Sequence, residues 1–295
     1  MIIFRKLDYE KDLEEVVLLI KNNLDDNYTI EFLNWKHYSN PSGKSLSMVA
    51  VEDNQIVGVI FYMVYNFSRK GEQIIRSIRP VDGCTEKKYR GKGIYKKLMS
   101  SCLELYNNMY DILIATPNKN SYAETIKLGW RPLNKKYYYK LGFIFPLKFS
   151  KSLTLKPFDS KGEYNVNLNS HNHYVSGNTL DYIKWRFKDK SYIIKQFNSN
   201  ANINYVIYRI DNVKNIKCII LCDFIGDNQY IDNAIRTICK LEKLYLVYFL
   251  DNYLNKNIKF LLKVTHREAS IVYKENDYNL NDNLVLTLAD LEGKI

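Results

Sequence analysis

The sequence predicts a mixed α/β chain in which one layout is used twice, and three observations carry this. Helical and strand periodicities alternate as helix, helix, hairpin, strand, helix, strand, helix, strand, an order that buries one sheet between helices. At 295 residues and 46% hydrophobic, the chain is long enough for two cores of about 120–150 residues each. The stretch TIEFLNWKH at 29–37 returns 150 residues later as TLDYIKWRF at 179–187, and a β-rich run with a polar turn follows each copy.

Leu13, Val16, Val17 and Ile20 lie at helical spacing, which predicts a helix over 10–24. A short helix over 30–38 stops at the breaker Asn40-Pro41-Ser42-Gly43. SLSMVAVEDNQIVGVIFYMVY reads as a hairpin around Asp53-Asn54, followed by a strand over 73–84. A long helix runs from Arg90 to about residue 108 with Ile94, Leu98, Cys102 and Leu105 on one face. After it come a strand over 111–117, a helix over 121–128 ended by Gly129, and a late strand over 135–143. The second half repeats the order: a hairpin around YVIYRIDNVKNIKCIILCDF, a helix over 230–244, the strand LYLVYFL, a helix near 255–264, and the late strands SIVYKEN and NLVLTL. The expected domains are 1–142 and 176–295, joined by a linker with extra strands over 143–175.

Composition narrows the function classes. No apolar run approaches the ~18 residues of a membrane span, and the charged N-terminal stretch has no apolar signal region, so the chain reads as soluble and cytoplasmic with no membrane partner. Five cysteines lie mostly in apolar runs without paired histidines, which reads as reduced core thiols and no metal site. His171 and His173 flank a polar loop residue and form no ligand motif. The formal net charge is +11, which favours polyanionic partners. Lys87, Lys88, Arg90, Lys92, Lys96 and Lys97 crowd into one stretch, so the surplus points to one bound anion rather than a nucleic-acid track.

That stretch is KKYRGKGIYKK, over 87–97. A helix N-terminus presents unpaired N–H groups and a positive dipole end, and glycines let the backbone approach a ligand. It is not a P-loop, since no Gly-Lys-Ser/Thr follows, and it lacks the third glycine of a dinucleotide fingerprint. In the second half IGDNQYIDNAI stands at the matching place, with Asp227 and Asp232 where the first half has lysines, so only the first half is expected to hold the anion.

A strand, then Arg-Gly-Lys-Gly-Ile opening a long helix, then a strand ending at Asn118 and a short helix ending in Leu128-Gly129-Trp130 resembles the GNAT acyltransferase family over 1–142. Its motif Arg/Gln-x-x-Gly-x-Gly/Ala is met by Arg90 and Gly93, with Tyr95 where a small residue is usual. Its later Asn, followed eleven residues on by Gly and an aromatic, is met by Asn118, Gly129 and Trp130. The resemblance implies tandem GNAT-like acyltransferase folds, the second degenerate. It implies acetyl-CoA as co-substrate, gripped at its pyrophosphate by the amides of Arg90, Gly91, Lys92, Gly93, Ile94 and Tyr95. The pantetheine arm would bond the backbone of Gly83, Cys84 and Thr85, Asn118 would be a further contact, and Lys96 and Lys97 would meet the 3′-phosphate. Only the backbone N–H of Tyr95 need reach the ligand, leaving its ring free to point away.

The reaction implied is N-acetylation of a small-molecule primary amine such as an amino sugar or amino acid. An alkylammonium with a pKa near ~10.4 costs about 4–5 kcal/mol to deprotonate at pH 7, so a base is expected. Asp82 is the first candidate and Glu86 the second. The family's thiolate-protonating Tyr falls on Thr125 here, and Tyr122, one turn earlier, is the substitute. Tyr137, Tyr138 and Tyr139 are candidates to shape the acceptor pocket. Two other readings stand beside this one: a tRNA-dependent aminoacyltransferase with two GNAT-like halves, and a non-catalytic CoA-binding regulatory protein. The oligomeric state is open, a homodimer included.

Overall fold

The computed structural model describes residues 1–69, 71–145, 153–159, 173–177, 179–199, 202–252, 254–276 and 284–291. Most of the expected linker, with His171, lies outside these residues. Two compact units emerge: 1–67, 74–131 and 272–280 form the first, and 68–73, 132–271 and 281–295 the second. No helix among the described residues is long and apolar enough to cross a membrane.

The first unit runs β1 (Ile3–Lys6), α1 (Leu13–Asn23), α2 (Ile30–Leu33), β2 (Leu46–Glu52), β3 (Gln55–Val64), β4 (Ser77–Thr85), α3 (Ile94–Leu105), β5 (Ile112–Ala115) and α4 (Lys119–Lys127). Helix α2 continues into one wide π turn, Asn34–Tyr38. Asp53 and Asn54 both adopt left-handed backbone, φ 48° and 63°, the two-residue turn whose twist suits a tight hairpin. Strands β1 to β4 pair antiparallel in sequence order, and β5 joins β4 in parallel. Val16, Val17 and Ile20 of α1 pack on Val59 and Phe61 from one side of the sheet. Ile94, Leu98 and Cys102 of α3 pack with Met48, Ile60 and Tyr62 on the other.

The chain continues through β6 (Tyr138–Phe143), α5 (Leu180–Arg186), β7 (Ile193–Ser199), β8 (Asn202–Val213), β9 (Ile216–Ile225), α6 (Ile231–Glu242), β10 (Leu246–Leu250), β11 (Leu262–Glu268) and β12 (Val272–Glu275). The repeat is geometric as well as textual. Thr29 caps α2 by accepting from Phe32 N at 3.1 Å, and Thr179 caps α5 by accepting from Tyr182 N at 3.1 Å. The second hairpin turns through Lys214 and Asn215, again both left-handed.

Two late strands do not stay with the half that precedes them. Strand β6, expected to close the first domain at residue 142, pairs antiparallel with β10 and β11 of the second unit. Strand β12 pairs antiparallel with β5 of the first. Each sheet thus takes one strand from the far half of the sequence, and the units do not divide at 142. The helix expected near 255–264 is instead a short 3-10 turn, Leu254–Asn257, before β11. Buried Asn255 ties this turn to Leu250 O through Nδ2 at 2.7 Å, and the ladder to β6 then claims the residues that follow.

Candidate functional site

The site begins where β4 leaves its neighbour. β4 and β5 are parallel partners only at Ser77 with Ile112 and Ile78 with Leu113. Past Ile78 no ladder joins them, so one edge of β4 is open along its second half. On its other edge the register with β3 slips between Val59 opposite Cys84 and Phe61 opposite Val81. Asp82 and Gly83 therefore stand opposite Ile60 alone, a β-bulge, and Asp82 takes φ 50°.

Six residues beyond the end of β4, at Gly91, the chain enters the glycine turn. Gly91 and Gly93 have φ 77° and 76°, and a Cβ at either would meet nothing within 4 Å. They are needed for their left-handed backbone, and the space above them is open. Gly93 is the N-cap of α3 and offers no side-chain acceptor to the first-turn N–H groups, which have no intrahelical partner either. These groups and the dipole end face the open space with Lys92 and Lys96 nearby in sequence, a suitable seat for an anion.

Arg90 departs from its expected role. Its backbone N–H already bonds Lys87 O at 3.2 Å. Its Nε donates to Thr85 O at 3.1 Å and Nη2 to Asn23 Oδ1 at 3.1 Å, so it ties the turn to the ends of β4 and α1. Lys97 lies 5.0 Å from the centre of the Phe4 ring, packed along β1. The Tyr95 ring lies over the strand: its Cε2 would sit 2.9 Å from a Cβ on Gly83, so it rests on the bulge, 40% exposed. Burial pushes the Cys84 thiol up to about 12, leaving it inert. In the second half the matching turn is filled by its own carboxylates. Asp227 accepts from Gln229 N at 3.1 Å, and Asp232 accepts from Lys259 N at 2.8 Å and Arg236 Nε at 2.9 Å.

The bulge carboxylate is not free to accept a proton. Asp82 Oδ2 accepts from Tyr28 Oη at 2.8 Å and lies 2.7 Å from Lys36 Nζ and 3.0 Å from His37 Nε2. Burial works to raise the Asp82 pKa, but the Lys36 charge and the His37 hydrogen bond outweigh it and hold the group well below the usual carboxylate range. Burial also pushes His37 down to about 4, so it is neutral. To donate to Asp82 it carries its proton on Nε2, and Nδ1 then accepts from Ser45 Oγ at 2.8 Å. Its ring stacks on Phe61 with centroids 4.0 Å apart. A carboxylate held this way has little affinity for an ammonium proton, so the geometry assigns Asp82 to anchoring the bulge rather than to the expected base role.

The remaining candidates scatter. Glu86 is half-buried, with Oε1 3.4 Å from Lys88 Nζ. Tyr122 is partly buried and packs against the core that includes Leu98 and Trp130. Asn118 accepts from Ser121 N at 3.0 Å through Oδ1 and so starts α4. Thr125 Oγ1 donates to Ser121 O at 2.7 Å within that helix. Tyr137 is buried in the second unit, donating to Leu284 O at 2.7 Å, and Tyr139 stacks on Tyr248 there.

The GNAT resemblance places Lys36 and His37 on the early helix that borders the acceptor site, whereas nothing in the sequence singles out Tyr28 and Ser45; one further signal is present. Lys36 and Arg186 occupy the same place in the repeat. In the second unit Asp223 lies at a similar slip, opposite Ile207 while Leu221 faces Tyr208. Burial and then Asp290 push Asp223 up to about 8, while Arg186 pulls the other way. The bulge carboxylate and a repeat-position cation thus recur where no anion turn exists.

His37 yields an expectation for stability. The unfolded chain binds a proton there near pH 6.5, the folded chain only near about 4, so folding is disfavoured as pH falls through that window. Urea midpoints should drop from pH 7 to pH 5, and the drop should shrink in His37→Gln.

No protein-family model matches this chain, and no curated protein matches it. Solved structures do. A GCN5-related N-acetyltransferase from Anabaena variabilis is similar at TM-score 0.71 and 10% identity, over 93% of this chain and 73% of that one. Eis1 from Mycobacterium abscessus is similar at 0.63 and 10%, over 94% and 74%. Saccharomyces cerevisiae N-myristoyltransferase, solved with bound myristoyl-CoA, is similar at 0.55 and 13%, over 93% and 79%. With two sheets of matching layout and a likeness that spans nearly its whole length, the chain has the GNAT acyltransferase fold in tandem form.

Proposed function

We propose that the chain is an acyl-CoA-dependent N-acyltransferase that moves an acetyl group from acetyl-CoA to a primary amine of a small molecule such as an amino sugar or amino acid. The observation that carries this is the unfilled glycine turn at the head of α3, placed after a strand that parts from its parallel neighbour. The amides of Gly91 to Tyr95 would hold the pyrophosphate, and the open backbone of Gly83, Cys84 and Thr85 would pair with the pantetheine arm. The acceptor nitrogen attacks the thioester carbon, the C–S bond breaks, and CoA leaves as thiolate. With Asp82 locked, the ammonium proton goes to Glu86 or to solvent. Solvent also suffices for the thiolate, because leaving a thiol of pKa near ~8.5 unprotonated at pH 7 costs only about 2 kcal/mol.

The test is direct. Saturating acetyl-CoA should raise Tm by about 5–10 °C, the size expected for a ligand at a hundred times its Kd on a domain this large. Free-thiol release across a panel of amines, with acyl chains from acetyl to myristoyl, then identifies both substrates. Absence of any stabilisation by acetyl-CoA or longer acyl-CoA would sink the proposal.

A further inference from the structure

Among the described residues six non-glycine residues have positive φ, and unlike Asp53, Asn54, Lys214 and Asn215 of the hairpin turns and Lys243 at a helix end, Asp82 lies within a strand. Left-handed backbone costs a non-glycine residue roughly 1 kcal/mol, so something must hold it there. Its carboxylate is gripped by three side chains from a single stretch of chain, Tyr28, Lys36 and His37, and Lys36 is 3% exposed. The second unit keeps a fully buried cation at the same repeat position, Arg186, and a carboxylate at the same bulge, yet its turn is filled by aspartates. A buried cation at this repeat position is therefore present also in a half whose turn does not bind an anion.

We propose that Lys36 is a positioning residue of the acyl-transfer site: its ammonium, together with His37 and Tyr28, locks the Asp82 side chain and so holds the backbone of the bulge in the conformation that receives the thioester. This rests on the acyl-CoA reading above. Four groups face the Asp82 carboxylate: the Lys36 ammonium, the neutral His37 ring, the Tyr28 hydroxyl and the Cys84 thiol. Only the first carries a charge. Without it a buried carboxylate keeps two neutral donors, and such a group takes up a proton rather than stay charged. Protonated, it no longer draws all its donors inward, and the bulge loosens.

Lys36→Met and Lys36→Arg decide the matter, with kcat and KM for acetyl-CoA measured from pH 5.5 to 9 and the Asp82 carboxyl followed by carbon NMR. Lys36→Met should lose about 10–100-fold in kcat at pH 6, the scale of an ångström-level misplacement. That loss should recover as pH rises, a limb the wild type lacks, and KM for acetyl-CoA should change less than kcat because the glycine turn is untouched. Lys36→Arg, which keeps the positive charge, should keep the wild-type pH profile. A pH-independent loss in Lys36→Met, or unchanged kcat, overturns the proposal, as does a carboxyl that stays ionised throughout. If Lys36→Met does not fold, Lys36→Gln serves in its place. Wild type that ignores acetyl-CoA would instead overturn the acyl-CoA reading, with the carboxyl titration still deciding whether Lys36 locks Asp82.

Discussion

Gly93→Asp is expected to abolish acetyl-CoA binding while leaving the fold in place. The position has φ 76°, so any L residue is strained there by roughly 1 kcal/mol, and no neighbour lies within 4 Å to clash with a new side chain. The decisive term is charge. A carboxylate about 4 Å from a phosphate oxygen repels it by about 4 kcal/mol at an effective dielectric of 20. It also competes for the same helix N-terminal N–H groups. Isothermal titration should show Kd rising at least about 100-fold, with the ligand-free Tm falling by only a few degrees. Gly93→Ala adds the strain without the charge and should lose far less. Equal losses in the two variants would mean that backbone shape, not anion contact, governs the turn. The second half contains a natural version of this experiment, since Asp227 occupies its turn and accepts from the Gln229 N–H there.

Asp82→Ala should be among the most destabilising single changes in the first unit. It takes the carboxylate from the Lys36 ammonium, 3% exposed, and leaves the Tyr28 hydroxyl short of an acceptor, with His37 Nε2 keeping only Tyr28 Oη at 3.1 Å. Removing one partner of a buried ion pair costs about 3–5 kcal/mol. At about 2–4 °C per kcal/mol for domains of this size, Tm should fall by about 10 °C. The double variant Asp82→Ala/Lys36→Met removes the stranded charge and should recover a large part of that loss. A double variant no more stable than Asp82→Ala alone would show that the cost lies in the bulge backbone and not in the ion pair.

These two positions differ in how visible they were. Gly93 announces itself, because two glycines one residue apart at the start of an apolar-periodic helix have few uses other than left-handed backbone and ligand approach. Asp82 drew notice only for its place near the end of a strand, and there a base and an anchor look identical. The difference is made by Tyr28, Lys36 and His37, which approach it across 45 to 54 residues of chain. The same holds for Tyr95, whose ring orientation depends on the gap left by Gly83.

By itself the sequence determined most of the local elements, the glycine turn with its charge, and the internal repeat with its two hairpins; the Thr caps and left-handed turns of both copies follow from the same short stretches. Each of these is written within a few residues, in periodicity, backbone freedom or hydrogen-bonding side chains close to the groups they cap. Only the tertiary structure decided which sheet each late strand joins. β6 pairs with β10 and β11, and β12 with β5, partners more than a hundred residues away. A strand's alternation tells which face is buried but not whose edge it will extend, because backbone ladders are alike in every sheet. The role of Asp82 was decided the same way: a carboxylate's proton affinity is set by the charges and burial around it, and those come from elsewhere in the chain.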